Sequence, residues 1–175
     1  MSMRADALKT AVEVLSRWYD QAADPRGFVY NIGRLDVHPG SVAVVPGLVE
    51  FVLELRSTDD NISQLAVQQF SQLLGEYSNC HMELIVQKPA VKLSSSVINE
   101  IEKSCTNERL SYKLMPSGAS HDASPIAHFL PTGMIFVPSV GGISHSKDEY
   151  TAMEDIARGV RVLARTLEKL SNSIK

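Results

Sequence analysis

The sequence has little that would suit it to a membrane, to nucleic acid or to secretion. Its longest apolar runs are short and carry charges, so none can span a bilayer. No cluster of lysine and arginine occurs and the net charge is −3, which argues against a nucleic-acid partner. The first 20 residues contain no apolar signal-peptide core, and we therefore expect a cytoplasmic protein.

Cysteine is also scarce. Cys80 and Cys105 are the two cysteines of the chain, and they do not form a CxxC pair. A disulfide or a shared metal is one interpretation; we favour reduced, structural thiols. The composition, 44% hydrophobic and 21% charged, is typical of a soluble globular protein, and 175 residues suffice for one ordinary domain or two small ones.

The first half of the chain has the pattern of an α-β-β-α-β unit. In its second strand, apolar residues alternate with mostly polar ones, which indicates a half-buried strand. This order resembles a ferredoxin-like split βαβ fold without its first strand. The predicted elements are a helix over 4–19 ended by 24–27, a strand after Gly27, a long strand over 41–56 bent at Pro46-Gly47, a capped helix from about 57 to 77, and a strand over 80–87.

The second half predicts an incomplete α/β sheet. We place a domain boundary after residue 90, giving domains 1–90 and 91–175. Strands that alternate with helices favour a parallel or mixed sheet, but two strands are too few to close one. The predicted elements are a helix over 95–109, a strand over 112–115, a short helix, a strand over 133–139 and a helix over 151–170.

Two loops follow predicted strands in this half, and each contains a histidine. In open α/β sheets, ligands bind beyond the carboxyl ends of the strands. His121 lies in "MPSGASHDAS" and His145 in "PSVGGISHSKDEY". Neutral imidazole is a common metal ligand, and Asp122 could orient an imidazole or hold the loop. Asp148 and Glu149 are further candidate ligands. The alternative is that both histidines are solvated turn residues.

Arg56, at the end of the second strand, is the other candidate. Arginine suits the bidentate binding of a carboxylate. The alternative is an exposed strand-end arginine that pairs with Asp59 or Asp60. The remaining histidines lie at strand ends or on a helix without converging polar neighbours, and we interpret them as structural: His38, His81 and His128.

Three longer segments together resemble a known family. They are "IGRLDVHPGSVAVVPGLVEFVLELRSTDD", "LMPSGASHDA" and "PTGMIFVPSVGGISHSKDEYTAMEDIARGVRVL". They are similar to the hydantoinase/carbamoylase branch of the metal-dependent amidohydrolases, which includes N-carbamoyl-L-amino acid hydrolases, allantoate amidohydrolases and β-ureidopropionases. The resemblance extends over nearly the whole chain.

The resemblance implies an α/β (α+β) enzyme with a catalytic domain and a ferredoxin-like lid domain that also forms a homodimer. Two divalent metals, Zn or Mn, would activate a water that attacks the carbamoyl or ureido carbon of a small acid. His145 matches the last metal ligand, and Arg56 matches the lid arginine that binds the substrate carboxylate. Ser117, Gly118, His121 and Asp122 match the loop that lines the site.

The chain also departs from the family pattern. Ala43 stands where the family has a substrate-holding asparagine, and Ser120 where it has glycine or alanine. The resemblance places the general base, the polarising histidine and the other metal ligands upstream of Met1. We therefore expect a truncated chain that is poorly active alone, or one half of a split enzyme completed by a second polypeptide. We also expect an exposed apolar patch, a free strand edge and oligomerisation or poor solubility.

Two alternatives have no catalytic role for the chain. One is a dimerisation module in which the lid survives after the active site was lost, an interpretation that Ala43 favours. The other is an independent ferredoxin-like protein that binds a small molecule, but it leaves the second half of the chain unexplained.

Overall fold

A computed structural model describes residues 5–22 and 27–172. The chain divides into two compact units, unit 1 over Met1–Ala90 and unit 2 over Val91–Lys175. In chain order the elements are α1 (Ala7–Ala22), β1 (Phe28–His38), β2 (Leu48–Ser57), α2 (Asp60–Gly75), α3 (Ser95–Asn107), α4 (Ala123–Ile126), a 3₁₀ turn (Val140–Gly142) and α5 (Met153–Asn172). None of the described helices is both long and apolar enough to cross a membrane.

Helix α1 begins at a capping residue and buries one face. Asp6 caps it, because its Oδ1 accepts hydrogen bonds from the amides of Leu8 and Lys9 at 3.1 and 3.2 Å. Ala11, Val14 and Trp18 share one face and are buried. Of the predicted break at 24–27, residues 24–26 lie outside the described residues.

Strands β1 and β2 form one antiparallel hairpin with a bulge between Ile32 and Arg34. The predicted alternation in β2 is confirmed, since every second side chain from Val49 onward is partly buried. The prediction of one long strand from residue 41 is wrong. Residues 41–47 form the hairpin loop, in which Gly47 donates a hydrogen bond to the carbonyl of His38 at 3.0 Å. Pro46 has no amide hydrogen to donate to a sheet.

The core of unit 1 lies between the two helices and one face of the hairpin. Its buried members are Val14, Trp18, Ala66, Phe70, Leu73 and Leu74. Asp59 caps α2 by accepting a hydrogen bond from the amide of Asn61 at 2.9 Å, so the predicted cap is an aspartate. Arg17 joins α1 to the end of α2 through both carboxylate oxygens of Glu76.

Unit 2 is held together by α3 and α5. Between them lie two buried hydroxyls: Thr166 donates to the carbonyl of Val162 at 2.8 Å, and its Oγ1 lies 3.1 Å from Ser104 Oγ. Glu108, just after α3, pairs with Arg161 and Arg165 of α5. These guanidinium groups, Arg165 foremost, lower the pKa of the Glu108 carboxyl below its usual value.

Three further strand predictions are wrong. The segments 80–87, 112–115 and 133–139 carry no strand, so the parallel or mixed sheet predicted for the second half does not form within the described residues. A segment becomes a strand only when its amides and carbonyls pair with a neighbouring strand. These segments find no such neighbour there, and Leu84, Val86, Leu114 and Phe136 are exposed.

Both cysteines are free thiols, as predicted. Cys80 lies beside the core of unit 1 and Cys105 is buried on α3. Burial raises the pKa of both thiols, which keeps them in the protonated, weakly nucleophilic form at neutral pH.

Candidate functional site

The loop that contains His121 is held by a compact set of hydrogen bonds. Ser117 Oγ and His121 Nε2 lie 2.6 Å apart. The amide of Ala119 donates to Ser117 Oγ at 3.3 Å, and the amide of Ser124 donates to the carbonyl of His121 at 2.9 Å. The structure therefore brings together two of the predicted substrate-binding side chains, Ser117 and His121, in direct contact.

Phe136 is a neighbour of this pair that sequence reasoning missed. Its ring lies edge-on to the imidazole of His121, with 5.6 Å between the ring centroids. Phe136 belongs to the apolar run 133–139, which pattern alone assigned to a sheet. No spacing rule links it to a histidine fifteen residues earlier, so no sequence signal pointed to the contact.

The other predicted residues of this loop are exposed. Asp122 stands immediately before α4, and its side chain makes no capping hydrogen bond. Its predicted role in orienting an imidazole stays a prediction, because the imidazole of His121 contacts Ser117 and Phe136 instead. A Cβ added at Gly118 would meet no atom within 4 Å.

Gly118 and Gly133 provide a matched pair for testing the packing of unit 2. A Cβ at Gly133 would lie 2.7 Å from Val97 Cγ1 and 3.0 Å from Ile101 Cδ1, both on α3. We expect Gly133→Ala to lower the free energy of unfolding by about 1–3 kcal/mol, because the β-branched Val97 cannot easily move away. Gly118→Ala should change it by less than about 0.5 kcal/mol. Urea unfolding followed by far-UV circular dichroism measures both; equal stabilities for the two variants would contradict this packing.

The loop that contains His145 folds back on itself. Val140 donates to the carbonyl of Tyr150 at 2.8 Å and so closes the loop. Gly141 and Gly142 both have φ near +70°, a conformation that glycine adopts without steric cost. His145 itself has φ 55°, which is uncommon for a residue with a side chain. Its amide donates to Glu149 Oε2 at 3.0 Å, so Glu149 holds the backbone at His145.

His145 is the candidate metal ligand, and it does not form a metal site with its neighbours. Among the described residues, no group of three or more histidine, cysteine, aspartate and glutamate side chains converges in a way that could hold a metal ion. Metal sites in proteins usually need at least three protein ligands. The described part of this chain therefore does not fit a complete metal centre.

Arg56 lies on the outward face of the hairpin with 47% of its side chain exposed. It pairs with Glu54 at 2.8 Å rather than with Asp59 or Asp60. Asp59 caps α2, and Asp60 accepts a hydrogen bond from the amide of Ala90 at 2.8 Å. The hydrogen bond that Arg56 donates to Glu54 raises the pKa of Arg56, so the guanidinium stays charged at any physiological pH. Ala43 lies in the exposed hairpin loop.

The fold defines the class of the protein, a mixed helix-and-strand chain of two compact units. Residues 6–169 match the model of Peptidase family M20/M25/M40. The chain belongs to this family, which confirms the resemblance seen in the sequence.

Two curated relatives illustrate the match. The chain is 33% identical over 178 residues to the N-carbamoyl-L-amino acid amidohydrolase of Geobacillus stearothermophilus, covering 98% of this chain and 43% of the relative. It is 33% identical over 148 residues to the allantoate amidohydrolase of Escherichia coli, covering 82% of this chain and 36% of that protein. The chain thus spans less than half the length of these relatives.

Solved structures of related proteins have a similar fold. The crystal structure of AtUAH in complex with glyoxylate matches with a TM-score of 0.85 at 29% identity, over 98% of this chain and 42% of that one. A hydantoinase/carbamoylase family amidase from Burkholderia phymatum matches with a TM-score of 0.84 at 27% identity, over 100% of this chain and 44% of that one. These neighbours confirm the predicted class, a partial α/β (α+β) fold of this enzyme family.

Proposed function

We propose that this chain is the lid and the end of the catalytic domain of an amidohydrolase that cleaves the linear C–N bond of an N-carbamoyl or ureido acid. One observation carries the proposal: between 82% and 98% of the chain matches relatives named N-carbamoyl-L-amino acid amidohydrolase, allantoate amidohydrolase and ureidoglycolate hydrolase. The named substrates share a carboxylate and a carbamoyl or ureido group.

The candidate residues have separate roles in this proposal. Arg56 binds the substrate carboxylate through its permanently charged guanidinium. Ser117, Gly118 and His121 line the substrate site, and His145 contributes one ligand to a pair of divalent metals, Zn or Mn. When bound, such metals supply an activated water. The general base and the remaining ligands come from polypeptide equivalent to the rest of the relatives' length.

An apolar groove in unit 2 supports the need for that further polypeptide. Its volume is about 540 Å³, and side chains of α3, of residues 126–137 and of α5 line it. On α5, Ile156, Val160, Leu163 and Leu167 form an exposed apolar stripe at helical spacing. A stripe of this kind normally packs against another element. We propose that polypeptide equivalent to the unmatched part of the relatives covers it, whether or not it belongs to the same chain.

The hairpin supports the proposed homodimer. Within the described residues the sheet has two strands, so each strand has one edge without a strand partner. Free edges favour pairing with a second copy. The cytoplasmic location stays a prediction.

The experiment that tests the function is reconstitution. The chain is produced together with the unmatched part of the Geobacillus relative, and hydrolysis of N-carbamoyl-L-amino acids is measured with added Mn or Zn. We expect hydrolysis by the complex and little by either part alone. Sedimentation of the same complex reports whether two copies associate. Absence of hydrolysis by a soluble, stoichiometric complex would contradict the proposed function.

Arg56→Ala tests the proposed carboxylate contact in this complex. A hydrogen bond to a charged group contributes about 1.5–3 kcal/mol, so we expect KM to rise about 10- to 100-fold. The effect should be much smaller for a substrate analogue in which an amide replaces the carboxylate. Arg34→Ala is the matched control, because Arg34 is an exposed arginine of the same hairpin that also pairs with a carboxylate, Asp36. Equal KM values for the two variants would contradict this role.

A further inference from the structure

Ser117, His121 and Phe136 form a cluster in which the imidazole contacts both a hydroxyl and an aromatic ring. We infer that Ser117 holds His121 as the tautomer protonated on Nδ1, and that Phe136 is a positioning residue that keeps the imidazole in this arrangement. The inference deepens the proposed function, on which its reading of the substrate rests, but the tautomer itself can be tested without any activity.

Among the described residues, the Ser117 hydroxyl has few hydrogen-bond partners. A hydroxyl has one proton to donate and two lone pairs to accept with. The amide of Ala119 donates to Ser117 Oγ at 3.3 Å and so uses one lone pair. Within the described part of the chain, the acceptor placed for the hydroxyl proton is His121 Nε2, at 2.6 Å. If Ser117 donates there, Nε2 carries no proton.

The hydrogen bond at Nε2 determines which nitrogen of the neutral imidazole of His121 carries the proton. In a neutral imidazole one nitrogen carries the proton, and the hydrogen bond at the other nitrogen decides which one. With Nε2 as acceptor, the proton lies on Nδ1. This is the reverse of the preference of a free histidine side chain, which favours protonation on Nε2. Among the described residues Nδ1 has no hydrogen-bond partner, so its N–H is available to a ligand.

The imidazole of His121 must also keep its orientation. The imidazole can keep its bond to Ser117 only if it does not rotate about its side-chain torsions. The ring of Phe136 meets it at 61° between ring planes and 5.6 Å between centroids, an edge-to-face arrangement. An edge-to-face contact between two rings favours one orientation of each ring relative to the other. Phe136 therefore favours one ring orientation without making a hydrogen bond of its own.

The consequence is a hydrogen-bond donor on the side of the imidazole away from Ser117. Ser117 Oγ occupies Nε2, and the two ring nitrogens of an imidazole point in different directions. If the loop lines the substrate site as proposed, the Nδ1–H of His121 can donate to a carbonyl oxygen of the substrate.

The test is nuclear magnetic resonance of the histidine side chains in the ¹⁵N-labelled 175-residue chain, at a pH high enough for the imidazoles to be neutral. Long-range ¹H–¹⁵N spectra distinguish protonated from unprotonated ring nitrogens, and His121→Gln identifies the signals. We expect His121 to show a protonated Nδ1 and an unprotonated Nε2. His128, an exposed histidine of the same unit, is the internal control and should show the opposite preference.

Variants test the roles of Ser117 and Phe136 separately. Ser117→Ala should move His121 toward protonation on Nε2, and Ser117→Thr should restore the Nδ1 form. Phe136→Leu should draw the two ¹⁵N shifts toward each other, since both tautomers are then populated. Phe129→Leu, at an 85% exposed position, should leave them unchanged. An Nε2-protonated His121 in the unmodified chain would overturn the role of Ser117, and unchanged shifts in Phe136→Leu would overturn that of Phe136. Either result leaves the reconstitution test of function unaffected.

Discussion

Trp18→Ala is expected to lower the free energy of unfolding of unit 1 by about 3–5 kcal/mol, the cost of removing a large buried aromatic side chain. Trp18 is 1% exposed and is the largest fully buried side chain of the described chain. Its ring contacts Phe28, Tyr30 and Phe70 at centroid distances of 6.1, 5.8 and 5.1 Å. It therefore joins α1 to both the hairpin and α2. A loss of this size approaches the whole stability of many small domains.

Urea unfolding followed by far-UV circular dichroism measures this effect without relying on tryptophan fluorescence. Val12→Ala is the control, since Val12 lies on the same helix with 58% of its surface exposed and should change stability little. Trp18→Phe should fall between the two, because the described structure gives Trp18 Nε1 no hydrogen-bond acceptor to lose. A Trp18→Ala variant as stable as Val12→Ala would contradict the packing of unit 1.

The helices could be predicted because their signals are local. The spacing of Ala11, Val14 and Trp18 fixes which face of α1 is buried, whatever packs against it. Acidic residues at the start of α2 mark its first turn within the sequence itself. In β2 the alternation of Phe51, Leu53 and Leu55 with exposed neighbours has the same local character. Each of these patterns is complete within a few residues.

The strand predictions failed where a strand would need a pairing partner from a distant part of the chain. β-branched and apolar residues over 41–47, 112–115 and 133–139 have the composition of strands, but composition does not supply a partner. Residues 41–47 instead form the loop that β1 and β2 require. The other two segments remain unpaired within the described residues, and their apolar side chains are partly exposed. Strand formation depends on long-range contacts that a single sequence does not reveal.

For the candidate site, too, the sequence predicted local features but not the contacts between side chains. Sequence reasoning placed His121 and His145 in loops, and both lie in loops. It did not find that Ser117 contacts His121 or that Glu149 holds the amide of His145. Both contacts link residues four positions apart in irregular backbone, where no helical period relates them. Phe136 is more distant still, and only the fold brings it to His121.

His145→Asn is expected to reduce the metal affinity and kcat/KM of the reconstituted enzyme by at least about 100-fold. The estimate follows from residues that merely support metal ligands, whose loss already costs about 10- to 100-fold. Asparagine is the informative replacement because His145 has φ 55°, and asparagine tolerates this conformation better than alanine does. The substitution therefore removes the imidazole without adding backbone strain. Metal content of the purified complex and its rate of hydrolysis are the two measurements.

Two further variants show whether the loss comes from the imidazole. His128→Asn removes an exposed histidine of the same unit and should leave metal content and rate unchanged. Glu149→Gln weakens the acceptor for the amide of His145, so it should reduce metal affinity less than His145→Asn does. If His145→Asn bound metal as tightly as the unmodified complex, His145 would not be a ligand. The Gly141-Gly142 turn would then serve only to connect the segment 133–139 with α5.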